Sequence, residues 1–179
     1  NYLSSNYALP VSSDYFAYDP DHSGDVAGIG MIDPSDFHVA AQSAGILKIF
    51  NAGDLDPGEF LLFGHDGGPV DSWSAEEIVG DNMLRIERAW RADLTGAPGN
   101  VSISVDTSLF DLLPSGHVQY LLMRDADGDF SSGAQLIPME LDNGLYSAND
   151  VALSDGDFIT IAAVQPQVEF RFSSRNQSE

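Results

Sequence analysis

Turn signals recur about every ten residues along this sequence, a spacing that favours short strands over helices. Asp33-Pro34-Ser35-Asp36, Asn51-Ala52-Gly53-Asp54, Asp56-Pro57-Gly58, Gly96-Ala97-Pro98-Gly99 and Asp155-Gly156-Asp157 all combine residues that break or reverse a chain. Between them lie short apolar runs, at residues 26–31, 37–43, 45–50, 60–63, 101–106, 117–123, 134–141, 144–148 and 158–164. The run at 101–106 sets Val101, Ile103 and Val105 on one side and Ser102, Ser104 and Asp106 on the other. Residues 85–93 alternate in the same way, with Ile86, Arg88, Trp90 and Ala92 on one face; Arg88 is then placed to stack on Trp90 and pair with a carboxylate, most simply as a core arginine. Glycines at 28 and 30 mark the 26–31 run as a strand that another backbone approaches closely. Helix is expected only as a single turn at 74–79, capped by Ser74. The predicted fold is all-β: an antiparallel β-sandwich of jelly-roll or Ig-like type with little helix. Phe60-Leu61-Leu62-Phe63 echoes Tyr120-Leu121-Leu122-Met123, and an acidic, glycine-bearing turn follows each. The two are expected to be equivalent central strands, one in each half of the domain.

The turn after Met123 carries the most chemistry. In Arg124-Asp125-Ala126-Asp127-Gly128-Asp129-Phe130, three aspartates stand at i, i+2 and i+4. Carboxylates so spaced repel one another unless a cation neutralises them, and all-oxygen ligands suit Ca2+ before Mg2+. Asp125, Asp127 and Asp129 are therefore the first candidate metal ligands, against the plainer reading of a solvated acidic turn. The loop is not an EF-hand, since positions 6 and 12 hold Phe130 and Leu136. A second candidate loop offers Asp19, Asp21, Ser23 and Asp25, and it too departs from an EF-hand, with Gly30 at position 12; a plain Asp-Pro turn is the simpler reading there. Asp157 is a further acidic side chain that a metal could recruit.

Charge narrows the function classes. There are 28 acidic residues against 7 basic ones, a net charge of −21. Nucleic acid and anionic membrane surfaces need clustered Lys and Arg, so neither is an expected partner. So much like charge also repels itself in the compact state, which bound cations would relieve. There is no cysteine, and no apolar run approaches a membrane span of about 20 residues. A chain starting at Asn1 is expected to be a processed product or a piece of something longer. No Gly-x-Ser-x-Gly elbow or His-Glu-x-x-His pair occurs, and His22, His38, His65 and His117 have no ligand spacing. Glu59, Glu76, Glu77, Glu87 and Glu140 show no pattern that would line a glycosidase cleft. An enzyme is not expected.

Beyond Val164, Gln165-Pro166-Gln167 interrupts the pattern, and residues 168–174 begin a fresh alternating strand. The expected division is an acidic β-sandwich domain over 1–165, with 166–179 as a linker and an orphan terminal strand. Residues 1–18, with Tyr2, Tyr7, Tyr15, Phe16 and Tyr18, read as one or two short strands or an irregular lead-in.

Several motifs occur in a fixed order: Asp25-Val26-Ala27-Gly28-Ile29-Gly30, Phe60-Leu61-Leu62-Phe63-Gly64-His65-Asp66, Arg88-Ala89-Trp90 with Thr95-Gly96, Tyr120-Leu121-Leu122 with Asp127-Gly128-Asp129-Phe130-Ser131, and Leu153-Ser154-Asp155-Gly156-Asp157-Phe158. In these the chain resembles an uncharacterised β-sandwich domain of large secreted bacterial surface proteins, one that often follows a LamG-like domain and precedes Calx-β repeats. The tail, from Val168-Glu169-Phe170 to Ser178-Glu179, looks like a truncated first strand of a Calx-β repeat. The resemblance implies an extracellular, cell-surface, modular and non-enzymatic role, and it carries over no catalytic residues. Three readings follow: a calcium-stabilised structural or adhesive module, a filament subunit exchanging its terminal strand with the next copy, or a carbohydrate- or peptide-binding module using Trp73, Tyr15 and Tyr18. The partners implied are neighbouring modules or identical subunits, with a glycan or surface protein as ligand.

Overall fold

The computed structural model describes residues 20–109 and 113–166. The expected lead-in at 1–18 and the orphan strand at 168–174 lie outside them. A single 3-10 turn, Pro20–His22, precedes fourteen strands: β1 Gly24–Asp33, β2 Asp36–His38, β3 Ala40–Ser43, β4 Leu47–Phe50, β5 Phe60–His65, β6 Trp73–Ser74, β7 Met83–Ile86, β8 Trp90–Thr95, β9 Val101–Val105, β10 Gln119–Asp125, β11 Gln135–Pro138, β12 Glu140–Asp142, β13 Leu145–Val151 and β14 Phe158–Val164. A second 3-10 turn, Thr107–Leu109, follows β9.

Two sheets pack face to face, and every strand pairing among the described residues is antiparallel. The larger runs β11-β10-β14-β8-β5-β1-β2, with β7 also on β14 and β6 on β7; the smaller runs β12-β13-β9-β4-β3. The chain is a β-sandwich, as its punctuation predicts. Leu61 and Phe63 of β5, Trp90 of β8, Leu122 of β10 and Ile159 and Ile161 of β14 meet Leu47 and Ile49 of β4 and Val101, Ile103 and Val105 of β9 in the core. The echoing runs become β5 and β10, both interior strands of the larger sheet. Trp90 also ties the sheets together, donating its Nε1–H to Ser43 Oγ at 3.2 Å.

The glycines of β1 do what their positions imply. A Cβ on Gly30 would lie 2.7 Å from the Glu59 carbonyl oxygen and 2.4 Å from the Phe60 ring, and one on Gly28 would meet Leu62 at 2.4 Å. Only glycine lets β5 approach this closely.

Three expectations need correction. Residues 74–79 form no helix: Ser74 closes β6, and its Oγ accepts the Glu76 N–H at 3.0 Å in a local turn. Residues 85–93 are not one strand. Arg85 pairs with Ala162 and Trp90 with Ile159, so five steps on one side oppose three on the other and the ladder breaks at residues 87–89. The break releases Arg88 from the tryptophan face, and its Nε–H goes to the Gly68 carbonyl at 2.7 Å. Among the described residues the buried arginine is Arg85, 7 % exposed. It pairs with Glu77 at 2.8 Å, donates to the Glu76, Ile86 and Glu87 carbonyls, and lies 5.4 Å over the Phe130 ring. Finally, the 134–141 run is two strands, β11 and β12, because at Met139 the chain crosses from the larger sheet to the smaller.

Candidate functional site: an acidic loop at the end of β10

Alternation along β10 decides where its charges go. Leu122 faces the core, so Arg124 shares its face, while Met123 and Asp125 face outward. On that outer face a second, smaller apolar cluster forms from Met83, Leu121, Met123, Phe130 and Ala162, with Ile78 and Val79 against it. Phe130 is the residue that folds the loop back over the sheet. Asp125, at the start of the loop, is 5 % exposed.

Each aspartate of the loop uses Oδ1 to shape the turn. Asp125 accepts the Asp127 and Gly128 N–H groups at 2.9 and 3.0 Å, Asp127 accepts the Asp129 N–H at 3.0 Å, and Asp129 accepts the Ser131 N–H and hydroxyl at 3.1 and 2.6 Å. Gly128, at φ 85°, makes the reversal, and its Cα side rests on the Phe158 ring. The Asp129 amide, and after it the Asp125 side chain, hold the Asp127 carboxyl below the usual carboxylate range. Two carboxylates thus lie together, one of them buried. Among the described residues no Lys, Arg or His pairs with Asp125.

The other candidate ligands sit apart from this pair. Asp157 shares the inward face with Arg124, across the sheet from Asp125, and its Oδ2 accepts Arg124 Nε–H and the Ser154 N–H, each at 2.5 Å. Asp19 lies outside the described residues. Asp21 and Ser23 are exposed, and Asp25, at φ 41°, turns its Oδ2 to His65 Nε2 at 3.2 Å. Because His65 Nδ1 accepts the Gly67 N–H, Nε2 carries the proton and donates to Asp25. The two acidic loops are nonetheless neighbours. The His22 ring meets Phe158 edge-on at 5.1 Å, the same ring that supports Gly128, and the Arg91 guanidinium lies 5.9 Å from it. Among the described residues no three His, Asp or Glu side chains form a ready-made ligand set for one ion. Ligands beyond Asp125 and Asp127 would come from Asp129, loop carbonyls or water. Such an oxygen-only set fits Ca2+.

Sequence reasoning missed Phe130, Phe158, Arg91 and His22, which position the loops. The register of β10 on β14, which sets Asp125 opposite Phe158, is what reveals them. Three of the five glutamates have side-chain partners. Glu59 accepts the Asp56 and Ala97 N–H groups, Glu77 pairs with Arg85, and Glu87 accepts the Ser72 hydroxyl. Trp73 stacks on Tyr120 at 6.3 Å and packs against the main core; Tyr15 and Tyr18 lie outside the described residues.

These carboxylate clamps set an acid limit on stability. Hydrogen bonds lower Glu59 (from the Asp56 and then the Ala97 amide), Asp33 (from the Ser35 hydroxyl, then its amide), Asp106 (from the Ser108 hydroxyl, then its amide) and Asp127. A depressed carboxyl stabilises the fold fully above its unfolded value, and the contribution is lost as pH falls through the lower folded value. With ordinary values of 4.5 for Glu59 and 3.8 for the aspartates, the loss belongs below about pH 4.5. Relief of charge repulsion acts in the same range with the opposite sign, so the useful comparison is with a variant. Urea midpoints followed from pH 7 to 3 should show wild type converging on Glu59→Gln as pH falls. A constant gap between the two would remove Glu59 from the account.

The fold and its loops define an acidic, two-sheet β-sandwich with a carboxylate-rich turn on the outer face of the larger sheet. Over residues 2–157 the sequence matches the model of a domain of unknown function (DUF8202), and the chain belongs to that family. No curated protein and no solved structure matches it.

Proposed function

We propose that this chain is a non-enzymatic, calcium-stabilised structural or adhesive module of a bacterial cell-surface protein or fibre, with Ca2+ held at the Asp125–Asp129 loop. The supporting observation is the buried Asp125 carboxylate, set beside Asp127 without a basic partner among the described residues. Two backbone N–H groups offset part of the cost of burying this charge, and a divalent ion would offset the rest. The net charge of −21 adds a diffuse preference for cations. The extracellular setting rests on the sequence resemblance.

Asp127→Asn separates loop binding from general screening. In about 10 mM calcium, roughly a hundredfold above a dissociation constant of 10⁻⁴ M typical of the tighter extracellular modules, wild type should gain about 2.7 kcal/mol over chelated protein. For a chain of this size that is roughly 5–10 °C in Tm. The variant should lose most of this gain; whatever the lost Asp127 carboxylate costs in chelator is the same with and without calcium and drops out of the comparison. Sodium chloride at matched ionic strength is the control: equal effects of the two salts, or equal calcium responses of the two proteins, would sink the reading.

A further inference from the structure

At one end of the sandwich the chain crosses between the sheets at two adjacent places. Gly96-Ala97-Pro98-Gly99-Asn100 carries it from β8 of the larger sheet to β9 of the smaller, and residues 152–157 carry it from β13 back to β14. Because β8 pairs with β14 and β9 with β13, the two connections are neighbours. The first is built from small residues and does not fill the space beside the second. A cleft of about 300 Å³ results, lined by Leu94, Ala97, Pro98, Asn100, Leu153 and Asp155 among others. The Asp125–Asp129 loop contributes none of the lining. Ligand pockets run from about 300 to 1,000 Å³, so this one has room for a single side chain rather than a drug-sized molecule.

The lining combines an apolar wall with one charge. Leu94 and Leu153 pack against the main core, and Pro98 is buried. Asp155 is exposed; its Oδ1 accepts the Leu94 N–H at 3.0 Å, and its Oδ2 takes no bond from the described residues. Asn100 donates its Nδ2–H to Asp150 Oδ1 at 2.7 Å, which leaves its own Oδ1 as a second acceptor. Among the described residues no basic side chain pairs with Asp155. Arg124 reaches the neighbouring Ser154 Oγ, but its charge is met by Asp157, and Arg91 lies against the Phe158 ring. We infer that this cleft receives the side chain of a lysine carried by another polypeptide. Its methylenes would lie along Leu94, Pro98 and Leu153, and its ammonium would meet Asp155 Oδ2 and Asn100 Oδ1. An ammonium is a compact charge that donates to single oxygens, whereas the guanidinium fork matches both oxygens of one carboxylate, and here one is already taken. A sugar ring would find no aromatic face in the lining. A second copy of this chain is a poor donor. It holds one lysine, Lys48, whose Nζ lies 5.1 Å over the Phe50 ring, and it brings another −21 of like charge. The partner is therefore a different, more basic polypeptide. This gives the chain a binding site beyond the acidic loop, and it needs no calcium.

The test titrates the full chain with the capped peptide Gly-Gly-Lys-Gly-Gly and follows backbone amide shifts by NMR, once in chelator and once in calcium. Saturable shifts are expected at residues 94–100 and 153–155 in both. Asp155→Asn keeps an oxygen for the Leu94 N–H and removes one charge from 28 acidic residues, so diffuse attraction barely changes. Binding at the cleft should nonetheless weaken about fivefold. Ala97→Phe fills the cleft from an exposed position and should abolish the shifts with Tm unchanged. Equal binding by wild type and Asp155→Asn overturns the proposal, since only diffuse attraction would remain. So do equal shifts from the peptide with norleucine in place of lysine, or shifts at these amides from methyl β-glucoside and none from the lysine peptide. Failure of calcium to stabilise the fold would count against the acidic-loop reading alone.

Discussion

Replacing Arg124 by alanine is expected to cost about 3–5 kcal/mol of folding stability, roughly 6–20 °C in Tm. The guanidinium holds Asp157 through Nε at 2.5 Å, Ser154 Oγ through Nη2 at 3.1 Å and Gln135 Oε1 through Nη1 at 3.4 Å. Asp157 is only 2 % exposed, so without the arginine its charge stays buried with the Ser154 N–H as the one remaining donor to its side chain among the described residues. Removing one member of a buried pair is far more damaging than replacing both with apolar groups. The double variant Arg124→Met/Asp157→Leu should accordingly recover most of the loss. Urea unfolding checks both. A loss below about 1 kcal/mol for the single variant would mean that the pair behaves like a surface salt bridge.

That prediction also shows where sequence reading stops. Arg124, Asp125 and Asp157 look alike in the sequence, as charges flanking two apolar runs. Only the register of β10 on β14 sends Asp125 to the outer face and Arg124 with Asp157 to the inner one. The strands themselves were legible, because apolar alternation and glycine or proline turns mark β4, β5, β10 and β14 without knowledge of partners. The glycines of β1 announced a close neighbour, and β5 is that neighbour. What stayed hidden depends on pairing. Residues 85–93 alternate well enough for one strand, but β14 offers two fewer steps than they need. Ser102 and Ser104 read as the polar face of an amphipathic strand, yet both are buried, because β9 is the central strand of its sheet. At the acidic loop, the aspartate spacing was visible, while Phe130 closing over Met123 and Leu121 was not, since that contact exists only once the outer cluster has formed.

The outer cluster ties the loop to the rest of the larger sheet. Phe130 lies between the acidic turn and Arg85, and Arg85 fastens the 74–80 excursion through Glu77 and the Glu76 carbonyl. The loop is therefore in contact, through Phe130 and Arg85, with a segment distant in sequence. On the proposed calcium reading, a cation held at Asp125 and Asp127 would brace both.

Trp90→Ala is the second large effect, expected to cost about 3–5 kcal/mol. Trp90 is fully buried, spans the space between the sheets, meets the His65 ring edge-on at 6.2 Å and donates to Ser43 Oγ. Trp90→Phe keeps much of the apolar volume but strands a fully buried hydroxyl, a penalty of about 1–3 kcal/mol on top of the lost volume. Ser43→Ala removes that hydroxyl. Added to the Trp90→Phe variant it should therefore be nearly neutral, while in wild type it should cost about 1 kcal/mol. The cycle of the two substitutions isolates the bond between the sheets. Strict additivity would show that Trp90 joins them by volume alone, and that the Nε1–Ser43 contact contributes nothing to the hold of one sheet on the other.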